Sequence, residues 1–369
     1  MKNRLDQWIT LVGFCGFLGI MCLLYLLLPK QTYSELEKSY LESAPELTVE
    51  DLTSGQYGKG VESYMADHIP GRSFFVGLNA YTELYSGRQV AKDIYVAEGD
   101  RLVEAPVTDD LEQAKKNMFF INSFAEKTGA QVDLMLVPSA GWASQDKILG
   151  AHLPYRDAEH IAAIYKMAGE GVNPVSLESV FRNRPDLYYR TDHHWTSEGA
   201  YEGCKAYMQA KGRTYPDREA FTVTTAQGFT GSTYSRSGLW LTQSEPLEMW
   251  SRTQNLQVTN ETGNTHEGLF YVNRLKELDK YTVFLDGNHA QVTIHNPQGQ
   301  GSILVLRDSY SNCLGGFLAE SYETVVLVDM RYLAGIPISQ LYAQEGFDHV
   351  LVCYSIGNFM TDYNLLKLN

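Results

Sequence analysis

Apolar positions along this chain fall into three patterns. From position 8 to 28 the sequence reads WITLVGFCGFLGIMCLLYLLL without a charge. As a helix that run is roughly 31 Å long at about 1.5 Å per residue, enough to cross a bilayer once. Further on, Leu111, Ala114, Met118, Ile121 and Phe124 recur at three- and four-residue spacing, which predicts an amphipathic helix with Gly129 as its C-terminal cap. The third pattern is a set of short runs, QVDLMLVP (131–138), SILVL (302–306), TVVLV (324–328) and HVLVCY (349–354), that are apolar almost throughout instead of alternating. Strands buried on both faces read this way, so the fold class predicted is α/β, a parallel sheet with helices on both faces.

The polar stretches divide the chain. Residues 1–30 form a short tail and the apolar span. Lys2 and Arg4 precede the span against the single acid Asp6, which places the N-terminus in the cytoplasm and the remainder outside. The run ends in Leu-Leu-Leu-Pro-Lys with no small-residue exit site, so an uncleaved anchor is expected instead of a signal peptide. Residues 31–56 are polar and acidic and read as a stalk. Residues 57–369 form the working domain, entered through DHIPGRSFF, a helical VGLNAYTELYSGR and a hairpin-like KDIYVAEGDRLVE. Within it, about 212–300 is rich in Thr, Ser, Gly and Tyr and reads as a β-rich insertion near the mouth of the sheet.

Charge and cysteine usage remove several function classes. The chain has 30 basic and 44 acidic side chains, net -14, with no basic cluster of the kind that reads nucleic acid, so a nucleic-acid partner is not expected. Cys15, Cys22, Cys204, Cys313 and Cys353 show no C-x-x-C spacing, which argues against structural zinc and a disulfide scaffold and for buried thiols. The sequence lacks a P-loop, a dinucleotide fingerprint, an H-E-x-x-H helix and a G-x-S-x-G elbow. No cofactor and no metal are predicted.

Two stretches carry the candidate chemistry. In YYRTDHHWTSEGAY, Thr196 or Ser197 caps a helix with Glu198 in its first turn, leaving Asp192, His193, His194 and Trp195 on the loop before it. If that loop is extended, Asp192 and His194 share a face and His193 turns away. In SILVLRDSYSN a buried strand runs into Arg307, Asp308 and Ser309, which places Ser309 at the carboxyl end of a parallel strand, where α/β sheets bind ligands. Together these suggest Ser309 as nucleophile, His194 as base and Asp192 as the group that orients the imidazole. Asp-Ser after a strand also reads as a capped helix start, and Asp-His-His also reads as a metal site or a hydrogen-bonded loop. For oxyanion or substrate contacts the candidates are the Ser309 amide, Gly231, Asn358 and Tyr310, with His193 beside them. Gly231 equally reads as a turn and Asn358 as a cap. Trp195 reads as a packing wedge.

TDHHWTSEGAY together with RDSYSN resembles the DHHW family of membrane-anchored bacterial proteins and, through it, the alginate O-acetyltransferase relatives with an SGNH-hydrolase-like catalytic domain. The resemblance runs over roughly 60–365, including PGR at 70–72 and VDMRYL at 328–333. It implies a catalytic triad of Asp192, His194 and Ser309 and an O-acetyltransferase acting on a cell-envelope or secreted polysaccharide. It also implies an integral-membrane acyltransferase partner that passes acetyl groups outward. An esterase of the same fold and a non-catalytic carbohydrate-binding or assembly protein are the alternatives. Arg307 stands where the family's Gly-Asp-Ser pattern has Gly, and VPSAGW (137–142) lacks the Lys that follows this strand's Pro in the acetyltransferase relatives.

The anchor reading makes a direct prediction. Intact-mass analysis of the membrane-extracted protein should find the span still attached, and a mature N-terminus between about residues 25 and 45 would contradict it.

Overall fold

The computed structural model describes residues 2–34, 39–88 and 90–369. Part of the segment expected to be a stalk, 35–38, lies outside the described residues. The chain divides into two compact units, Met1–Lys92 with Ser235–Trp240, and Asp93–Tyr234 with Leu241–Asn369.

In the first unit, helix α1 (Lys2–Leu27) holds the apolar run, and its side chains are exposed along nearly the whole length. It is long and apolar enough to cross a membrane. The chain after it is helical over much of its length, with Val49–Ser54, Gln56–Asp67 and Arg72–Glu83. Thr48 starts the first of these, its side chain accepting from the Asp51 N–H at 3.0 Å. The acidic stretch thus ends in helix.

The second unit is built on one eight-stranded sheet. Its strands are β1 (Val132–Val137), β2 (Val172–Val175), β3 (Gln257–Asn260), β4 (Thr265–Glu267), β5 (Gln291–His295), β6 (Ser302–Arg307), β7 (Thr324–Val328) and β8 (His349–Ser355). They lie in the order β4-β3-β5-β7-β6-β8-β1-β2. The five from β7 to β2 are parallel, with Leu306 opposite Val328 and Val352. The three from β4 to β5 extend the sheet antiparallel. Strands of the β-rich insertion are divided between two sheets. Thr222–Phe229 and Glu245–Ser251 pair as a separate two-stranded ribbon, while the rest of the insertion adds strands to the main sheet.

Side chains alternate across the parallel strands and separate two cores. Leu134, Leu136, Leu304, Leu306, Val326, Val350 and Val352 pack on helix α2 (Glu112–Thr128) through Ala114, Met118, Ile121 and Phe124. Gly129 ends α2 at φ 71°, the left-handed conformation in which glycine avoids a Cβ clash, and its N–H donates to Ala125 O at 2.9 Å. The opposite face carries helices α3 (Ser197–Ala210) and α4 (Ser311–Ala319). There the Tyr207 hydroxyl of α3 donates to Asp133 at 3.0 Å. Gly315 of α4 sits so close to the sheet that a Cβ would lie 3.1 Å from Leu327. Cys204, Cys313 and Cys353 are buried as free thiols.

Truncating a strand that sits between both cores tests this layering. Leu304→Ala should lower stability by about 2–5 kcal/mol, read as a shift of the urea midpoint of the full chain in detergent.

Candidate active site

The loop from Tyr188 to Trp195 closes on itself. Tyr188 and Trp195 form an antiparallel bridge, and the Tyr189 N–H donates to His194 O at 3.2 Å. Thr196 then caps α3, accepting from the Gly199 N–H at 3.1 Å. The glycine is required there, because a Cβ would stand 2.2 Å from Leu187 O. Glu245 holds the loop from outside the motif, taking the Arg190 N–H at 2.8 Å and the Thr191 N–H and hydroxyl at 2.7 and 2.6 Å.

Strand β6 delivers the second motif. After Arg307 the chain turns through Asp308, Ser309 and Tyr310 into α4. The buried Asp308 carboxylate fixes this turn: it accepts the Tyr310 N–H at 3.0 Å, and the Ser355 N–H, Ser355 hydroxyl and Asn358 amide at 2.9, 2.7 and 2.8 Å. Ser355 ends the neighbouring β8 and Asn358 lies in the short helix Ile356–Thr361 that follows it, so Ser309 sits at the carboxyl edge of the parallel sheet. Trp195, fully buried, ties the two motifs together by donating from Nε1 to Tyr310 O at 2.9 Å.

Between them lies a continuous hydrogen-bonded line. His194 Nδ1 is 2.5 Å from Asp192 Oδ1, and His194 Nε2 is 2.8 Å from Ser309 Oγ. With Asp192 ionised, Nδ1 carries the proton and Nε2 is left as acceptor for the Ser309 hydroxyl. Asp192 is 2% exposed and His194 6%, whereas Ser309 is partly open.

The sequence from Gln145 to Val328 spans both motifs, and residues 145–328 match the family model described as DHHW protein. The chain carries the DHHW-family signature. Among solved structures, a DHHW family protein from Eubacterium siraeum aligns with a TM-score of 0.65 at 19% identity, covering 76% of this chain and 96% of that one. Bacillus cereus PatB1 with a sulfonyl adduct gives 0.63 at 21% identity, covering 75% and 98%. PatB1 itself gives 0.61 at 23% identity, covering 75% and 99%. No curated protein sequence matches the chain. These likenesses show the fold, the α/β architecture expected from the resemblance.

The remaining residues of the DHHW site differ from expectation in instructive ways. His193 does not turn away: residues 191–194 are successive bends, so the two-residue alternation of a strand does not apply. Its ring lies 3.9 Å from that of His194, and its Nδ1 is 2.6 Å from Ser232 Oγ. Gly231 serves Asp192 and not the Ser309 oxygen. Its N–H donates to Thr191 Oγ1 at 3.2 Å, and a Cβ there would fall 2.1–2.2 Å from Asp192 atoms. The next N–H, of Ser232, donates to Asp192 Oδ2 at 2.6 Å. Tyr310 gives its hydroxyl to His193 O. Arg307, fully buried, bonds Asn312 Oδ1 from the sheet side of α4, so its side chain does not project over the exposed face of Ser309.

Asp192, His193 and His194 bring one ligand atom each to within 4.8 Å of one another. That spacing suits an ion, although Asp192 Oδ1 and His194 Nδ1 are already engaged with each other.

Four contributors lie outside the set of site residues expected from the sequence: Ser232, Glu245, Asp308 and Tyr281. Tyr281 stacks on His194, ring centroids 4.0 Å apart and planes 11° from parallel. Only Asp308, a carboxylate immediately before the serine on a strand-to-helix turn, was open to inference, as a residue that caps its own turn.

Burial alone would push the Asp192 carboxyl upward, but His194, His193 and the Ser232 N–H outweigh it and hold the group well below the usual carboxylate range. Burial, followed by the neighbouring His194, pushes His193 below the ordinary imidazole range against the pull of Asp192. A lowered histidine means that the folded state binds fewer protons than the unfolded one. Its contribution is complete above about pH 6.5 and is lost as pH falls below that value. The Asp192 contribution is lost only at more acid pH. Between about pH 6.5 and 5, thermal unfolding of the natural protein should therefore fall more steeply than that of His193→Gln. The difference is bounded by about 1.4 kcal/mol per pH unit, and parallel melting curves for the two proteins would contradict it.

Proposed function

We propose that this chain is a membrane-anchored O-acetyltransferase that modifies a cell-envelope or secreted polysaccharide, with α1 as a single-pass anchor, the N-terminus cytoplasmic and the second unit outside. The observation that carries the reading is the line Asp192–His194–Ser309, with contacts of 2.5 and 2.8 Å. PatB1, similar in fold, has been captured with a sulfonyl adduct, the kind of product an activated nucleophile forms with a sulfonyl reagent. The sugar substrate and the acetyl chemistry come from the family resemblance.

In this mechanism His194 Nε2 takes the Ser309 proton as Oγ attacks the acyl carbonyl, and Asp192 stabilises the imidazolium that forms. The proton passes to the leaving group as the tetrahedral intermediate collapses to an acyl-serine. A sugar hydroxyl, deprotonated by the same Nε2, then takes the acyl group and Ser309 recovers its proton. Water in place of the sugar gives the esterase reaction. With the Gly231 N–H committed to Thr191, the oxyanion is assigned to the Ser309 backbone N–H and to the second N–H of the Asn358 amide, whose first is held by Asp308. Beyond the membrane there is no ready acetyl-CoA, so the reading includes an integral-membrane acyltransferase that supplies the acyl group.

With 4-nitrophenyl acetate as surrogate donor, Ser309→Ala and His194→Ala should each lower kcat by at least about 10³, and together by no more than either alone, because nucleophile and base act as a unit. Asp192→Asn should cost on the order of 10³–10⁴, as the wrong imidazole tautomer does in serine proteases. His193→Ala should cost less than about tenfold, since it touches Ser232 and not Ser309, and chelators should leave the rate unchanged. Equal losses at His193 and His194 with an active Ser309→Ala variant would establish metal chemistry instead.

A further inference from the structure

The imidazole of His194 has both nitrogens engaged, by Asp192 and Ser309. Those two bonds fix the direction of its Nδ1–Nε2 line and leave it free to rock about that line. What stops the rocking must bear on the ring's flat faces, and Tyr281 is the neighbour whose ring lies parallel to it, centroids 4.0 Å apart and 11° between planes. His193 and Tyr310 meet the same imidazole at 37° and 52°. Tyr281 is itself held edge-on by Phe284 and Tyr189, at 5.1 and 6.4 Å. It belongs to the short helical turn Lys280–Val283, in the insertion between the two motifs.

The Tyr281 hydroxyl adds a second, independent observation. The residue is 5% exposed, and its oxygen is buried with no hydrogen-bond partner among the described residues. An unsatisfied buried hydroxyl costs stability, so this end of the side chain does not explain its place in the fold. The aromatic face does. A face stacked on an imidazole also favours the imidazolium, through the ring quadrupole, at the moment His194 takes the serine proton.

We infer that Tyr281 is a positioning residue for the reaction proposed above, acting through its ring face on His194 and not through its hydroxyl. The inference rests on the assignment of His194 as base to Ser309. It requires a flat aromatic ring at 281 and nothing polar.

The experiment compares Tyr281→Phe and Tyr281→Leu in the full-length chain, with two readouts. One is steady-state hydrolysis of 4-nitrophenyl acetate. The other is the rate at which phenylmethanesulfonyl fluoride labels Ser309: the Oγ–S bond forms, the S–F bond breaks, fluoride leaves and His194 takes the proton. Tyr281→Phe should keep kcat and the labelling rate within about twofold and should melt no lower than the natural protein, since it removes only the unpaired hydroxyl. Tyr281→Leu should lose at least about tenfold in both kcat and labelling rate, with KM changed less than about twofold. Rates are referred to folded protein, from near-ultraviolet circular dichroism, so that a misfolded Leu variant is replaced by Tyr281→Met.

A folded Leu or Met variant with kcat within twofold of the natural value would overturn the positioning role. Loss of activity in Tyr281→Phe would overturn the claim that the ring alone acts. Failure of the underlying reading looks different: Ser309→Ala would then remain active and protein treated with phenylmethanesulfonyl fluoride would still turn over the ester, whatever residue stands at 281.

Discussion

A carboxylate taken almost wholly out of water has to be given donors, and Asp192 obtains three of them: the His194 backbone N–H at 2.9 Å, the His194 ring at 2.5 Å and the Ser232 N–H at 2.6 Å. Much of the local architecture follows from meeting that demand. The loop must bend at every residue from 191 to 194, because only then do the carboxylate and the N–H two residues later face each other. Residue 231 must lack a side chain so that the 231–232 backbone can approach. Glu245 must hold the Arg190 and Thr191 amides that this bending removes from regular pairing.

The same logic explains why the serine's turn is rigid. Asp308 is as buried as Asp192 and is satisfied by four donors from its own turn, from the end of β8 and from the helix that follows it. Two buried carboxylates therefore set the two halves of the site, one for the base and one for the nucleophile, and Trp195 joins the halves through a single indole bond. Backbone N–H groups supply four of the seven donors to the two carboxylates, which ties the site to chain geometry as well as to side-chain identity.

What was legible in the sequence was whatever repeats or clusters. The continuous apolar runs announced four of the five parallel strands, the three- and four-residue spacing announced α2, and the strand-to-serine junction with the Asp-His pair placed Ser309, His194 and Asp192 in one site. The orientation of His193 was not legible, because side-chain alternation holds for strands and this loop is a series of bends. Nor was the joining of β3, β4 and β5 to the main sheet, since strand pairing is a long-range choice that short polar-flanked segments do not disclose. Tyr281 was hidden for another reason. In a chain with 24 tyrosines, only the fold reveals which of them lies flat on the imidazole.

The three buried cysteines have a consequence for how the protein is made. Burial pushes the Cys204 and Cys313 thiols up to about 12 and raises Cys353 as well. Near neutral pH a thiol of that kind is ionised on the order of one part in 10⁵, against a few per cent for a free cysteine, and the thiolate is the species that exchanges with disulfides. In an oxidising compartment, as the proposed topology would require, native chains would thus keep their thiols without any need to pair them. A chain still emerging has no such protection, and an odd number of thiols cannot all pair correctly within it. Yield in such a compartment becomes a race between closing the sheet over these residues and being cross-linked before it closes.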